Sequence, residues 1–394
     1  MGALDSLKIL DFSTLLPGPL ATMLLADMGA EVVSVSAPGK PDLMNGFPPM
    51  IDELGVSASV AWLGRNKKTI SLNLKKPESV EAVKKMVKEY DIVVEQFRPG
   101  VMKRLGVDYE TLKKENPSLI YCSITGYGQD GPMSQKAGHD LNYIGISGNM
   151  VFMNQEEPQP VSIPNFQLAD VAGGGYMTVI AILAAVQYRE KTGKGQYIDL
   201  SLMDSILPFT CVEASGVLAA RQYPGSWETR TVTGVANGPH YDVYETLDKK
   251  YVSVGALEPK FFAALLKTLG LPEWADGQIL KEDPEKLREV FKTKFREKTR
   301  DEWTSIFAGV EACVEPVLDI SEMCENSQVI SRGMLPKVPL SLDRNKTVEQ
   351  IGNPVRLSES PVEYRHTAYP AGYHTKEVLT RAGYDDGEIS KMSS

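Results

Sequence analysis

Short apolar runs alternate with amphipathic stretches through the first half of the chain. Lys8–Phe12 is an apolar run of strand length, and Pro17-Gly18-Pro19 breaks the chain after it. Leu20–Met28 carries apolar residues at helical spacing, with Gly29 as a C-terminal stop. Glu31–Ser36 is strand-like again, which completes a βαβ unit. The alternation continues with a strand at Thr69–Leu74, a helix at Pro77–Tyr90, a strand at Asp91–Phe97, a helix at Tyr109–Glu115 and a strand at Ser118–Ile124. Strands separated by helices at these lengths predict a parallel, doubly wound, Rossmann-like sheet. Ligands of such sheets bind beyond the carboxyl ends of the strands. Those ends carry Arg98-Pro99-Gly100 and Gly126-Tyr127-Gly128.

Further on, Asp170–Arg189 reads as a helix with small residues at its start, Gly195–Leu200 as a strand and Ser201–Arg221 as a long apolar helix. Pro224–Gly238 reads as a linker. The pattern then changes. Tyr241–Leu257 is spaced as a hairpin turning at Asp248-Lys249-Lys250, and helices follow at Pro259–Leu269, Pro284–Lys298 and Asp301–Phe307 before a strand at Cys313–Leu318. A helix at Ile320–Gly333, strand-like pieces and a helical segment from Thr375 complete the chain. The organisation expected is a large α/β domain over 1–225, a smaller inserted α+β domain over 231–319, and a return to the large domain over 320–394.

Composition narrows the classes. The 394 residues are 42% hydrophobic and 24% charged, as in a globular protein, and their number suggests two domains. No apolar run reads as long enough to span a membrane, and MGALDSLKILDF lacks the pattern of a secretory signal. A net charge of −9 argues against nucleic acid as a partner. The scattered Cys122, Cys211, Cys313 and Cys324 form no CxxC pair. They suit a reducing cytoplasm, argue against a metal site, and read as small buried hydrophobes.

The candidate chemistry lies between Gly138 and Tyr176. His139 sits in the polar cluster Gly138-His139-Asp140-Leu141-Asn142-Tyr143, and a histidine side chain suits proton transfer near neutrality. Asp170 precedes Gly173-Gly174-Gly175 by three residues. As a structural residue it would cap a helix; as a functional one it would sit beside a helix start that favours negative charge. The glycines permit close packing of another helix or close approach of a substrate. Glu258 precedes Pro259 where the hairpin meets a helix, and it reads either as a cap or as a carboxylate that orients His139. Arg65, Lys67, Lys68, Lys75, Lys76, Arg98, Lys103 and Arg104 are mostly solvated charges, with those at strand ends suited to phosphates. No GxGxxG follows the first strand, so a dinucleotide redox cofactor is not expected, and no GxxxxGK[ST] or HExxH motif is present.

Several segments resemble the class III coenzyme A transferase superfamily: Pro17–Val33, Asn73–Glu78, RPGVMKRLGVDYETL at Arg98–Leu112 and ITGYGQDGP at Ile124–Pro132. AGHDLNY at Ala137–Tyr143 and VGALEPKFF at Val254–Phe262 are similar to its racemase branch; transferase branches typically carry Phe or Tyr where His139 stands. The resemblance implies an interlocked homodimer whose active site lies between the large domain and the partner's small domain. It implies His139 and Asp170 as acid/base groups with Glu258 as the partner of His139. It implies coenzyme A contacts from Leu72, Asn73, Leu74, Lys75, Arg104, Gly138, Asp140, Leu141, Asn142 and Tyr143. Coenzyme A then enters as part of an acyl-CoA substrate, with no permanently bound cofactor. One departure stands out: Ser36-Ala37-Pro38 replaces the family's acidic residue followed by Arg or Lys. Either Lys40 or another cation compensates, or coenzyme A is held less tightly there.

The racemase branch implies epimerisation of 2-methylacyl-CoA thioesters. Two bases on opposite sides of the α-carbon exchange its proton through an enolate-like intermediate, which helix-start N–H groups near Gly173–Gly175 are placed to stabilise. The alternative is CoA transfer with Asp170 as the nucleophile, through a mixed anhydride and an aspartyl thioester. A non-catalytic binder of CoA esters predicts no turnover.

Overall fold

The computed structural model describes residues 2–40, 42–152, 163–223 and 238–393, so most of the expected linker lies outside the described residues. Two compact units are distinguished: Met1–Met153, Pro160–Phe209 and Ile330–Ser394 form the first, and Thr210–Val329 belongs to the second.

The first unit is an α/β fold built on six strands, β1 (Lys8–Asp11), β2 (Glu31–Ser36), β3 (Lys68–Ser71), β4 (Ile92–Glu95), β5 (Ile120–Thr125) and β6 (Tyr197–Ser201). Their order is β3-β2-β1-β4-β5-β6, and each neighbouring pair is parallel. Period-2 side-chain geometry explains why the central strands β4 and β5 read as near-continuous apolar runs, since both of their faces are covered, whereas the edge strands β3 (KTIS) and β6 (YIDLS) carry polar residues. Leu10, Val33 and Val93 point to one side, where Ala82, Val83 and Met86 of helix α2 (Pro77–Met86) pack with Val378, Leu379, Ile389 and Met392 from the C-terminal helices. Ile9, Val32, Ile92 and Ile120 point to the other side. There they meet Leu25 and Ala26 of α1 (Pro17–Asp27), Tyr143 and Ile144 of α3 (Asp140–Ile146), and Ile182 and Ala185 of α4 (Met177–Thr192).

Two basic residues read as candidate surface charges are buried instead. Arg65 is fully buried and grips Asp27 with two nitrogens, Nε at 3.0 Å and Nη2 at 2.7 Å; Asn66 and Asn353 also donate to Asp27. Lys67 donates to Asp11 at 3.3 Å, to Thr22 Oγ1 at 2.7 Å and to the Pro19 carbonyl at 2.8 Å. Partners this complete are what burial of a charge requires. Both lysine and arginine thus brace α1. Of the cysteines only Cys122 is buried, while Cys211 and Cys313 are exposed.

Three expected helices are remodelled. The segment entering α4 begins as a π-helical stretch, Ala169–Tyr176. The long apolar helix is broken into α5 (Leu202–Ile206), a 3-10 turn at Leu207–Thr210 and a helix at Cys211–Gln222, because Pro208 has no N–H to give. The helix after Asp319 is split into Ile320–Glu325 and Ser327–Ser331. Ala169–Thr192 and Leu202–Gln222 are long and apolar enough to cross a membrane by length and composition, which the sequence reading did not anticipate. In the first the charges, Asp170 and Arg189 to Lys191, lie near the ends, whereas the second carries Glu213 at its middle. In the first, Thr178, Ile182 and Ala185 are fully buried in the core.

The second unit has a three-stranded antiparallel sheet, β7 (Tyr241–Glu245), β8 (Tyr251–Gly255) and β9 (Val314–Pro316), with β8 in the middle. The hairpin turns where the sequence predicts, with Lys249 at φ 63° and the Thr246 N–H bonded to the Lys250 carbonyl at 2.9 Å. Helices α6 (Pro259–Thr268), α7 (Pro284–Phe295) and α8 (Arg300–Phe307) cover it through Phe262, Leu265, Phe291, Phe295, Trp303 and Phe307.

Candidate active site

Strand order reverses between β1 and β4, and the crevice outside that point is where open α/β sheets bind ligands. A cleft of the first unit opens there. Leu15 and Pro17 bound it after β1, Gln96 to Pro99 after β4, and Thr125 and Gly126 after β5. Gly138, His139, Tyr143 and Asp170 complete its wall. His139 and Asp170, 31 positions apart in the chain, therefore face the same space.

The start of α1, usually an anion site in such folds, is closed by its own sequence. Pro17 and Pro19 have no N–H, and the Gly18 N–H is taken by Gln96 Oε1 at 3.0 Å. This agrees with the missing dinucleotide fingerprint.

His139 is the N-cap residue of α3, with extended backbone at φ −127° and ψ 175°. Its N–H donates to Asn142 Oδ1 at 3.0 Å, which fixes the turn from which the exposed imidazole projects. Behind the turn, the Tyr143 hydroxyl donates to the Gly138 carbonyl at 2.6 Å, and its ring meets Tyr127 edge-on at 5.1 Å between centroids. Gly138 must be glycine at this place, because a Cβ there would stand 2.7 Å from the Tyr143 ring. Burial above all, with the charges of Asp170 and Asp140, raises the Tyr143 phenol to about 12, so it stays a neutral donor.

Asp170 lies inside the π-helical stretch and is not its cap: Leu168 holds the N-cap position with helical backbone angles. The capping oxygen comes from 30 residues away. Asp140 Oδ1 accepts the Asp170 N–H at 2.9 Å. Burial, reinforced by the charge of Asp140, raises Asp170 to about 7. A carboxyl titrating near neutrality can take or give a proton with equal ease, and π-helical turns occur often at functional sites.

The glycine run resolves in favour of packing. A Cβ on Gly173 would stand 2.8 Å from Ile206 Cγ2, and one on Gly175 2.6 Å from Leu20 Cδ2. Gly174 has Pro17 and Leu202 in its way. All three are buried between α1 and α5, so they are not the open donors for an enolate that the sequence suggested.

The remaining candidates lie elsewhere. The Leu72 side chain is in the core, so any ligand contact from it runs through its backbone. The Asn73 N–H donates to the Met392 carbonyl at 2.9 Å, and Asn73 Oδ1 accepts the Lys75 N–H at 3.2 Å. Leu74 is partly buried, and Lys75 and Arg104 are exposed, Arg104 on a short helix at Val101–Leu105. Leu141 and Asn142 are exposed on α3. Lys68, at the same edge, is paired with Glu377 at 2.6 Å, whereas Lys40 is exposed. Glu258 lies in the second unit as the N-cap residue of α6, yet its exposed side chain makes no capping bond; the helix is started by its backbone carbonyl, which accepts from Phe261 and Phe262.

Sequence reasoning missed Gln96 and Glu95. Glu95 is 4% exposed at the end of β4, accepts the Phe97 N–H at 2.7 Å, and is raised to about 7 by burial. It thereby grips the turn that carries Gln96 and Arg98 into the cleft. A single carboxylate closing an otherwise apolar strand was the available signal.

Comparison with known proteins identifies the family. The CoA-transferase family III model matches residues 4–375. The α-methylacyl-CoA racemase of Homo sapiens is 33% identical over 395 residues, covering 100% of this chain and 96% of that protein. The succinyl-CoA:glutarate CoA-transferase of Mus musculus is 32% identical over 405 residues, covering 100% of this chain and 89% of that one. A crystal structure of a CAIB/BAIF family protein from Brucella suis superposes with a TM-score of 0.83 at 28% identity, covering 97% of this chain and 99% of the other. With a family model spanning nearly its whole length, and full-length relatives above 30% identity, this chain belongs to CoA-transferase family III.

Proposed function

We propose that this chain is a racemase of 2-methylacyl-CoA thioesters. The observation that carries the reading is that His139 and Asp170 line one cleft at the switch point of the sheet. One group, as base, takes the α-proton, and the electron pair moves into the thioester carbonyl to give an enolate. The other group, as acid, returns a proton to the opposite face, and both regain their starting protonation states by exchange with water. An Asp170 carboxyl held near 7 serves either direction. With Gly173–Gly175 committed to packing, the enolate oxygen falls to the Asp140 and Leu141 N–H groups at the start of α3, since the Asn142 N–H is already bonded to the His139 carbonyl at 2.8 Å. Glu258 belongs to this reading as the carboxylate that orients the His139 imidazole. Leu72–Lys75, Arg104 and the Gly138–Tyr143 turn hold coenzyme A, and the functional unit is a cytoplasmic homodimer with the second unit as its inserted domain. Exposed Tyr176, Ile180 and Tyr188 supply apolar surface that dimerisation would cover.

CoA transfer is the second reading, favoured by transferases of nearly the same identity to this chain. There the Asp170 carboxylate attacks an acyl-CoA and His139 has no step. Incubating one epimer of a 2-methylacyl-CoA in deuterated water separates the two. The racemase reading expects α-deuterium incorporation with loss of chirality, and CoA transfer to a free acid without α-exchange refutes it. Replacing His139 by alanine should abolish epimerisation in at least one direction; full activity in both directions removes His139 from the mechanism.

A further inference from the structure

We propose that Asp140 is a positioning residue for the reaction at Asp170: its carboxylate fastens the start of the Asp170 segment to the turn that carries His139. The inference rests on the reading of Asp170 as the reacting carboxyl, and it holds for proton transfer and CoA transfer alike. Two groups that act on one carbon must keep their separation, and nothing in the local sequence of either fixes it. The Asp140 side chain does. It is the first residue of α3, directly after His139, and its Oδ1 accepts the Asp170 N–H at 2.9 Å. Asp140 therefore supplies the cap that the Asp170 segment lacks, since Leu168 makes no side-chain capping bond.

The same carboxylate has an electrostatic effect. Its charge adds to burial in disfavouring ionised Asp170. The elements packed around the π-helical stretch offer little to offset it. Helix α1 carries only Asp27, which is paired with Arg65, and α5 carries only Asp204. Strand β6 carries Asp199, whose carboxylate accepts the Gln129 N–H, and the charged residues of α4 are Arg189, Glu190 and Lys191 at its far end. Arg98, Lys136 and His139 line the cleft itself. Asp140 is thus better placed to serve Asp170 than to contact coenzyme A through its side chain.

Two substitutions separate the roles. Asp140→Asn keeps an accepting oxygen and removes the charge; Asp140→Ala removes both. The Asp170 carboxyl is followed by infrared difference titration against Asp170→Asn, with and without Asp140→Asn, which needs no turnover. Asp140→Asn should move the Asp170 midpoint down by about one pH unit and carry the pH–rate profile with it. Asp140→Ala should lower kcat by about 10²-fold, the cost of misplacing a reacting group, with KM nearly unchanged and partial recovery in Asp140→Asn. An unmoved Asp170 titration, or a loss of affinity for free coenzyme A with kcat intact, overturns the proposal. Full activity of Asp170→Asn would defeat the functional reading instead, while the infrared titration of Asp170 would still test the Asp140 clamp.

Discussion

A carboxyl that titrates near 7 inside the fold must cost the fold stability once it ionises, and the cost can be worked from the structure. Asp170 is raised from an ordinary 3.8 to about 7, first by burial and then by the Asp140 charge. In the unfolded chain the group loses its proton as pH rises through about 4; in the native protein it holds that proton until about 7. Between those values the unfolded state gains stability that the native state does not. Each pH unit is worth about 1.4 kcal/mol, so the displacement of roughly three units amounts to about 4 kcal/mol. Solvent reaches part of the side chain, which brings the expectation to about 2–4 kcal/mol. Asp170→Asn removes the titration and keeps the shape. Urea unfolding at fixed protein concentration, from pH 4 to pH 8, should find the two proteins closest in the acid and the variant gaining about 2–4 kcal/mol on the parent by pH 8. The difference between the curves is the readout, because other carboxylates contribute equally to both. Parallel curves, or a parent that gains on the variant as pH rises, would refute the account of Asp170.

Two further outcomes follow from the packing. Gly174→Ala places a methyl group against Pro17 and Leu202, and should cost about 1–3 kcal/mol of stability in thermal or urea unfolding, with loss of activity as Asp170 shifts. Arg65→Ala leaves Asp27 buried without its principal partner and should destabilise by about 3–5 kcal/mol; a loss below 1 kcal/mol would show the pair to be dispensable.

The sheet was legible because its central strands are short runs of apolar residues closed by turn signals, and parallel pairing needs only that alternation with helices. Its order became visible only in three dimensions. At the site, His139 and Asp170 were legible as residue types beside glycines. What joins them was not. Asp140 caps a segment 30 positions away, Arg65 meets Asp27 across 38 positions, and Lys67 meets Asp11 across 56. Local pattern carries no trace of such pairings, and a charged residue reads by default as a surface residue. For Asp170 the reading of a cap placed the right kind of carboxylate at a helix start and chose the wrong aspartate. The break at Leu207–Thr210 was announced by Pro208, and the apolar residues around it hid that signal.

The buried Asp27 also sets an order of events during synthesis. Among its partners, Arg65 and Asn66 leave the ribosome soon after it, whereas Asn353 follows 326 residues later. Helices Thr375–Arg381 and Asp386–Met392, which cover one face of the sheet, emerge later still. At about 10 residues per second the wait between Asp27 and Asn353 is about half a minute. Throughout that interval the nascent first unit displays an apolar face and an incompletely paired carboxylate. A nascent chain stalled before residue 353 should accordingly be held by chaperones in a form sensitive to protease, and gain resistance only when the C-terminal segment is released.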